Sequence, residues 1–356
     1  MDLGLPVLFS ARRARMGAVP SFCRHNHLIQ NCTICSREQH LAVRPIVSGG
    51  ASTRERTQHD DEDRAGSPGQ PRAARTPKPV GARSSGRDVR VRRLSRGADD
   101  GFHSSRVPGL RSSEDAERLA QELAFAARRL TAIETASTGL WLELADATSD
   151  IEERSWLAFL IAYIGPADSE EPFAAIEAAR TTWASGEDAD WEGVEAGPRG
   201  AFDPERSEAT LAAYRAWAQR AGSQAAAFTG ESSWTPERRF ERVYERLALP
   251  GLTRDARYEM LVLLGRSGVY ELRGGTLALS GENEATWAAK RALGIGDPLL
   301  LARRAADLAA AFDAPLEAFD LGLHNWGSGK RTGAGLALDT EVDAEVLARA
   351  QDVLGL

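Results

Sequence analysis

All eight tryptophans and all five tyrosines of this 356-residue chain lie after position 112. A core of any size needs such side chains, so only the C-terminal two-thirds is equipped to build one. Charge divides at the same point. Residues 1–112 carry 20 Lys+Arg against 10 Asp+Glu, a net of +10, and residues 113–356 carry 24 against 41, a net of -17. The stretch from Ser48 to Arg111 is too poor in aromatics to offset its chain entropy and is expected to be disordered. Within it, the run from Arg87 to Arg96 is arginine-rich. It reads as a solvated linker or as an arm that gains affinity for phosphates by counterion release.

Nothing near the start has the pattern of a signal peptide. The apolar stretch Leu3 to Phe9 is short, and Arg12, Arg13 and Arg15 follow it rather than precede it. Met16 is an alternative start. The longest apolar run, Trp156 to Ile164, is less than half the ~20 residues a membrane helix needs. With three cysteines a disulfide scaffold is excluded. The expectation is a cytoplasmic protein without a membrane partner, with nucleoid association as an alternative.

Every cysteine sits in Phe22-Cys23-Arg24-His25-Asn26-His27-Leu28-Ile29-Gln30-Asn31-Cys32-Thr33-Ile34-Cys35. Cys32 and Cys35 are spaced so that both thiolates reach one ion. Cys23 and a histidine, His25 or alternatively His27, complete a tetrahedral set. The reading is a closed, structural zinc knuckle, its short segment folded by a binding energy of ~10–16 kcal/mol.

From Ser113 onward the apolar residues recur at helical spacing. Ser112 or Ser113 caps a first helix whose stripe is Leu119, Leu123, Ala126, Leu130 and Ile133. Further helices are predicted at 151–164, 170–183, 204–220, 236–247, 254–264, 284–293, 298–312, 315–326 and 342–354, with an acidic loop at 184–200. Gly165-Pro166 stops the second, and Thr235-Pro236 opens another with proline at its first position. The one strand-like patch is 269–279, with Gly274-Gly275 as its turn. The domain organisation expected is therefore a disordered or mis-assigned start at 1–20, a zinc knuckle at 21–45 and an Arg-rich disordered linker at 46–112. A helical domain at 113–338 and a C-terminal helix at 339–356 follow.

One turn has a pattern with chemical meaning. Gly294-Ile295-Gly296-Asp297 joins two amphipathic helices as hydrophobic-Gly-hydrophobic-Gly, a helix-hairpin-helix. The glycines clear side chains from the turn so that a phosphate can reach the amides opening the second helix. Ile295 would pin the helices together, Pro298 costs no hydrogen bond at the first helical position, and Arg291, Arg303 and Arg304 flank the turn. Asp297 carries a carboxylate where a phosphate should dock, and caps the helix as the alternative. Further on, Asp320 and His324 stand four residues apart on one helix face, beside Asn325 and Trp326. They read as a site with a carboxylate, an imidazole, an amide and a stacking ring, or as a core helix.

A helical domain with a Gly-hydrophobic-Gly hairpin, followed some twenty residues later by an apolar-flanked Asp, resembles the helix-hairpin-helix DNA glycosylase superfamily. That resemblance implies a mainly α, glycosylase-like fold in which Asp320 stabilises positive charge on a sugar as its base leaves. No lysine lies near the second hairpin helix, which argues against a Schiff-base lyase. Taken together, CRHNHLIQNCTICSREQ, RVRRLSRGADDGF, VPGLRSS, LGIGDPLLLARRA and FDLGLHNWG resemble the alpha-glutamyl/putrescinyl thymine pyrophosphorylase family (clade 3) over about residues 20–338. The resemblance implies action on a hypermodified pyrimidine in DNA, with an amine displacing a pyrophosphorylated hydroxymethyl group. In that scheme the base leaves the stack against Trp326, His324 deprotonates the amine, and arginines Arg291, Arg303 and Arg304 receive the leaving charge. Three functions follow from these readings. They are a DNA base-modifying enzyme, a non-catalytic protein binding DNA through Gly294, Ile295, Gly296 and the basic tail, and a zinc-bearing protein-interaction module. The net of -17 weighs against a simple DNA-binding domain unless its cations are gathered on one face.

Overall fold

The computed structural model describes residues 97–187 and 191–356, which belong to one compact unit. The segment 21–45 expected to form a zinc knuckle and the arginine run 87–96 lie outside the described residues. The unit is mainly helical, with twelve α-helices and no strand among the described residues. In chain order they are α1 (Ser113–Glu134), α2 (Gly139–Ala145), α3 (Ile151–Ile164), α4 (Ala174–Ala179), α5 (Ser207–Ala221) and α6 (Gln224–Thr229). Then come α7 (Pro236–Arg246), α8 (Arg254–Arg266), α9 (Glu284–Leu293), α10 (Pro298–Phe312), α11 (Ala318–Ser328) and α12 (Ala344–Leu354). None is long and apolar enough to cross a membrane.

The helix starts follow from their caps. Ser112, Asp150, Thr235, Thr253, Asn283, Asp297 and Asp343 each accept a backbone N–H of the following turn. Each bond satisfies a donor that the helix geometry leaves without an internal partner. α3 is buried from Arg154 to Ile164, on all sides. A helix apolar all round belongs at the centre of a core. Its rings stack on those of α5, with Phe159 and Tyr214 centroids 4.1 Å apart. α1 is the second pillar. It carries α11 and α12 against it, and α9 packs on α11. A buried ion pair between Arg129 and Glu259 ties α1 to α8, and Arg129 Nε also donates to Ala334 O at 2.8 Å.

Three expectations change, and two short helices are added. The linker does not extend to residue 112: Val107 and Leu110 are buried, and Gly109 N donates to Ala292 O at 3.0 Å. A few well-placed apolar residues dock this segment on the end of α9 despite its poor composition. The patch 269–279 is a loop, not a strand. Helical side chains satisfy its backbone in place of a partner strand. Arg239 donates to Glu271 O (2.9 Å), Tyr258 Oη to Thr276 O (3.2 Å) and Arg254 to Leu277 O, while Glu317 accepts from Gly274 N (2.8 Å). The helix expected at 170–183 shortens to α4. The short helices α2 and α6 have too few turns to show a period in the sequence.

Candidate functional site

A cavity of about 590 Å³ opens where the N-termini of α8 and α9 meet the loop 198–200 and α11. Thr253, Arg254, Asp255 and Arg257 come from α8 and its cap, Asn283, Glu284 and Trp287 from α9 and its cap, and His324 from α11. Two helix N-termini therefore bring their partial positive charge to one space.

Arg199 enters this space through an unusual dock. The last carbonyls of α3 have no helical partner, and the loop supplies donors for them. Gly197 N donates to Ile164 O (2.9 Å), while Ala201 N (2.7 Å) and Phe202 N (2.9 Å) donate to Tyr163 O. Gly200 lies so close that a Cβ there would fall 2.0 Å from Ile164 O. Only glycine fits.

Asp320 is 2% exposed and lies between two arginines. Arg199 Nη2 donates to one carboxylate oxygen and Arg254 Nη1 to the other. Arg254 also reaches Asp255 Oδ1 at 3.1 Å and lies 4.8 Å above the Tyr258 ring. Burial alone would push the Asp320 carboxyl up, but Arg254 and Arg199 hold it below its ordinary range. For both arginines burial works against the charge, and Asp320 and Asp255 more than restore it. A carboxylate held between two cations presents no net negative field to a developing positive charge. It positions the two guanidinium groups instead.

His324 shares the Asp320 face and lines the cavity. Burial, helped by Arg199, lowers its pKa to about 4, against the weaker pull of Asp255 and Asp320. The imidazole is neutral at pH 7, one nitrogen a donor and the other an acceptor. Its Nδ1 finds no partner within the protein. The same holds for Arg199 Nε and Nη1 and for Arg254 Nε. Buried donors are nearly always paired, so such a group of orphans on residues that line one cavity is informative. A second cavity, about 470 Å³ over residues 268–273, has none among its described lining residues.

The other sequence-predicted residues divide. Trp326 is not a stacking platform. It is fully buried, and its indole N–H donates to Asp115 O at 2.9 Å. Arg291 lies 4.4 Å over the Trp326 ring and pairs with Asp115 at 2.6 Å, so it braces α1 against α9. Asn325 is buried and holds Thr332 and Glu122. In the hairpin, Gly294 takes the left-handed conformation (φ 65°) that ends α9, and Ile295 packs half-buried against the core. Asp297 caps α10: its Oδ1 accepts from Leu299 N (3.0 Å) and Leu300 N (2.9 Å). The two amides expected to cradle a phosphate are thus already engaged. Arg303 and Arg304 are exposed on α10, and Leu299 at the hairpin tip is 83% exposed. Cys23, His25, Cys32 and Cys35 lie outside the described residues.

Arg199, Arg254 and Trp287 were missed from sequence, although two of them left a signal. Arg199 is the one cation between Arg180 and Arg206, in Gly197-Pro198-Arg199-Gly200. Arg254 is a cation at the first position of a helix, where the dipole disfavours it unless an anion is near. No protein-family model, no curated protein and no solved structure matches this chain.

Proposed function

We propose that this chain is a DNA base-modifying protein that receives an extruded pyrimidine nucleotide in the cavity beside Arg199, Arg254 and His324. One observation carries the reading. A nucleotide-sized cavity with orphaned, buried nitrogens lies at one end of α9, and the glycine hairpin forms the other end. Ten helical residues separate the two ends by about 15 Å. Trp287, 46% exposed at the cavity rim, takes the stacking role first expected of Trp326.

The hairpin would meet the duplex through the exposed Gly294–Gly296 edge, Arg303 and Arg304, and the apolar tip of Leu299 and Leu300. The family resembled in sequence suggests displacement at a modified thymine by an amine. There His324, neutral at pH 7, would take the amine proton, and the arginine pair would face the departing negative charge. Residues 21–45 would add a structural zinc, and the Arg-rich segment a salt-sensitive tether.

The test is duplex binding by the full chain across salt, with matched and mismatched duplexes. Gly296→Glu is the informative variant, since a side chain there meets nothing within 4 Å. Binding that weakens in Gly296→Glu and in Arg303→Glu supports the reading. Equal binding by both variants and the parent contradicts it. A second reading has its own observation: with Asp297 on the amides and Leu299 and Leu300 bare, the hairpin tip also suits a protein partner. Under that reading the same variants leave DNA affinity untouched.

A further inference from the structure

We infer that the floor of the cavity is a binding site for a phosphate-class oxyanion, held by Arg199 and Arg254. The inference rests on the cavity named above as the nucleotide pocket, but it concerns the bound group and not DNA.

Arg199 and Arg254 share the Asp320 carboxylate, and Arg254 also reaches Asp255. The Arg199 side chain is 4% exposed and that of Arg254 8%. Leaving a buried guanidinium N–H without an acceptor is costly, and the cost falls when an oxyanion supplies one. Arg199 Nε and Nη1 and Arg254 Nε lack partners. A guanidinium offers five donors in a fixed fork suited to oxyanions. Thr253 and Asn283 cap the two helices that open on the cavity, which adds the partial charge of two N-termini. Arg199, Arg254 and Arg257 line the cavity beside Asp255, Glu282 and Glu284, so its lining is balanced within a domain whose residues 113–356 carry a net of -17. Asp255 is engaged by Arg254 at 3.1 Å. A carboxylate ligand would satisfy fewer donors than a phosphate, whose three or more oxygens match a divided set of N–H groups.

The experiment is calorimetric titration of the full chain with inorganic phosphate in an oxyanion-free buffer at pH 7.5. Parallel arms use thymidine 5′-monophosphate, thymidine, and a short single strand. Phosphate should bind, and Arg199→Gln should weaken it at least tenfold with the fold retained by circular dichroism. Ser280→Glu provides a second variant. It adds a negative charge at the exposed rim without touching the buried triad, and should weaken phosphate several-fold. Displacement of phosphate by the monophosphate marks a free nucleotide as its source. Displacement by the strand marks a backbone phosphate. No phosphate binding by the parent at 20 mM overturns the inference, as does equal binding by parent and Ser280→Glu, or tighter binding of thymidine than of its monophosphate. Phosphate binding without DNA binding leaves the inference standing and defeats the nucleic-acid reading. DNA binding without phosphate binding does the reverse.

Discussion

Replacing Asp320 by asparagine keeps the shape of the side chain and removes its charge. Arg254 would retain Asp255 and the Leu277 carbonyl. Arg199 would lose its ion pair with Asp320. Breaking a buried ion pair from one side costs about 3–5 kcal/mol, because the surviving charge stays buried without compensation. For a domain of this size each kcal/mol moves Tm by roughly 2–4 °C, so the expected fall is roughly 6–20 °C. Urea unfolding followed by circular dichroism gives the free energy, and a thermal scan gives the shift. The triple variant Arg199→Met, Arg254→Met, Asp320→Leu should recover most of the loss, since an apolar replacement of similar volume leaves no charge behind. A fall below about 1 kcal/mol in Asp320→Asn would refute the positioning role, because an unpaired, solvated carboxylate costs that little to neutralise.

Further outcomes follow from the same geometry. The native pKa of His324 is about 4, below its ordinary 6.5, so the unfolded chain binds the proton more tightly. Stability is therefore full above pH 6.5 and falls as pH drops from there to 4, by on the order of 3 kcal/mol. The depressed carboxyl of Asp320 adds a loss in the same direction at lower pH. His324→Gln should flatten the 6.5-to-4 portion of a stability–pH curve, and an unchanged slope would contradict the assignment. Gly200→Ala would press a methyl on Ile164 O, costing about 2 kcal/mol or more and weakening phosphate binding together with stability. Gly109→Ala should destabilise the protein measurably, as its Cβ would fall 1.8 Å from Arg291 O, whereas a disordered linker would tolerate it. Metal analysis of the full chain should find one zinc, lost in the Cys32→Ser, Cys35→Ser variant.

Helices were legible where an apolar stripe or a cap recurs over three or more turns. α3, α9 and α10 match their expected bounds because Asp150, Asn283 and Asp297 cap them, and Gly165 and Gly294 end two of them. The loop 269–279 was misread because alternation of apolar residues also fits an irregular segment whose backbone is held by Arg239, Glu317 and Tyr258. For the site, the periodicity placed Asp320 and His324 on one face, yet not what they face. Arg199 lies 121 residues from Asp320 and Arg254 lies 66 from it, and no local pattern records such contacts. Trp326 and Arg291 suited a surface role by chemistry alone. Burial and the Asp115 contact, both tertiary, assign them to the core.

The most direct measurement uses a duplex carrying 2-aminopurine opposite a mismatch, titrated with the full chain at low salt. Emission of this base rises when it leaves the stack. The account predicts a rise at saturation for the parent. Gly296→Glu should require much more protein to reach it. Saturated binding with emission fixed at the free-duplex level would contradict the central claim that the cavity receives an extruded base.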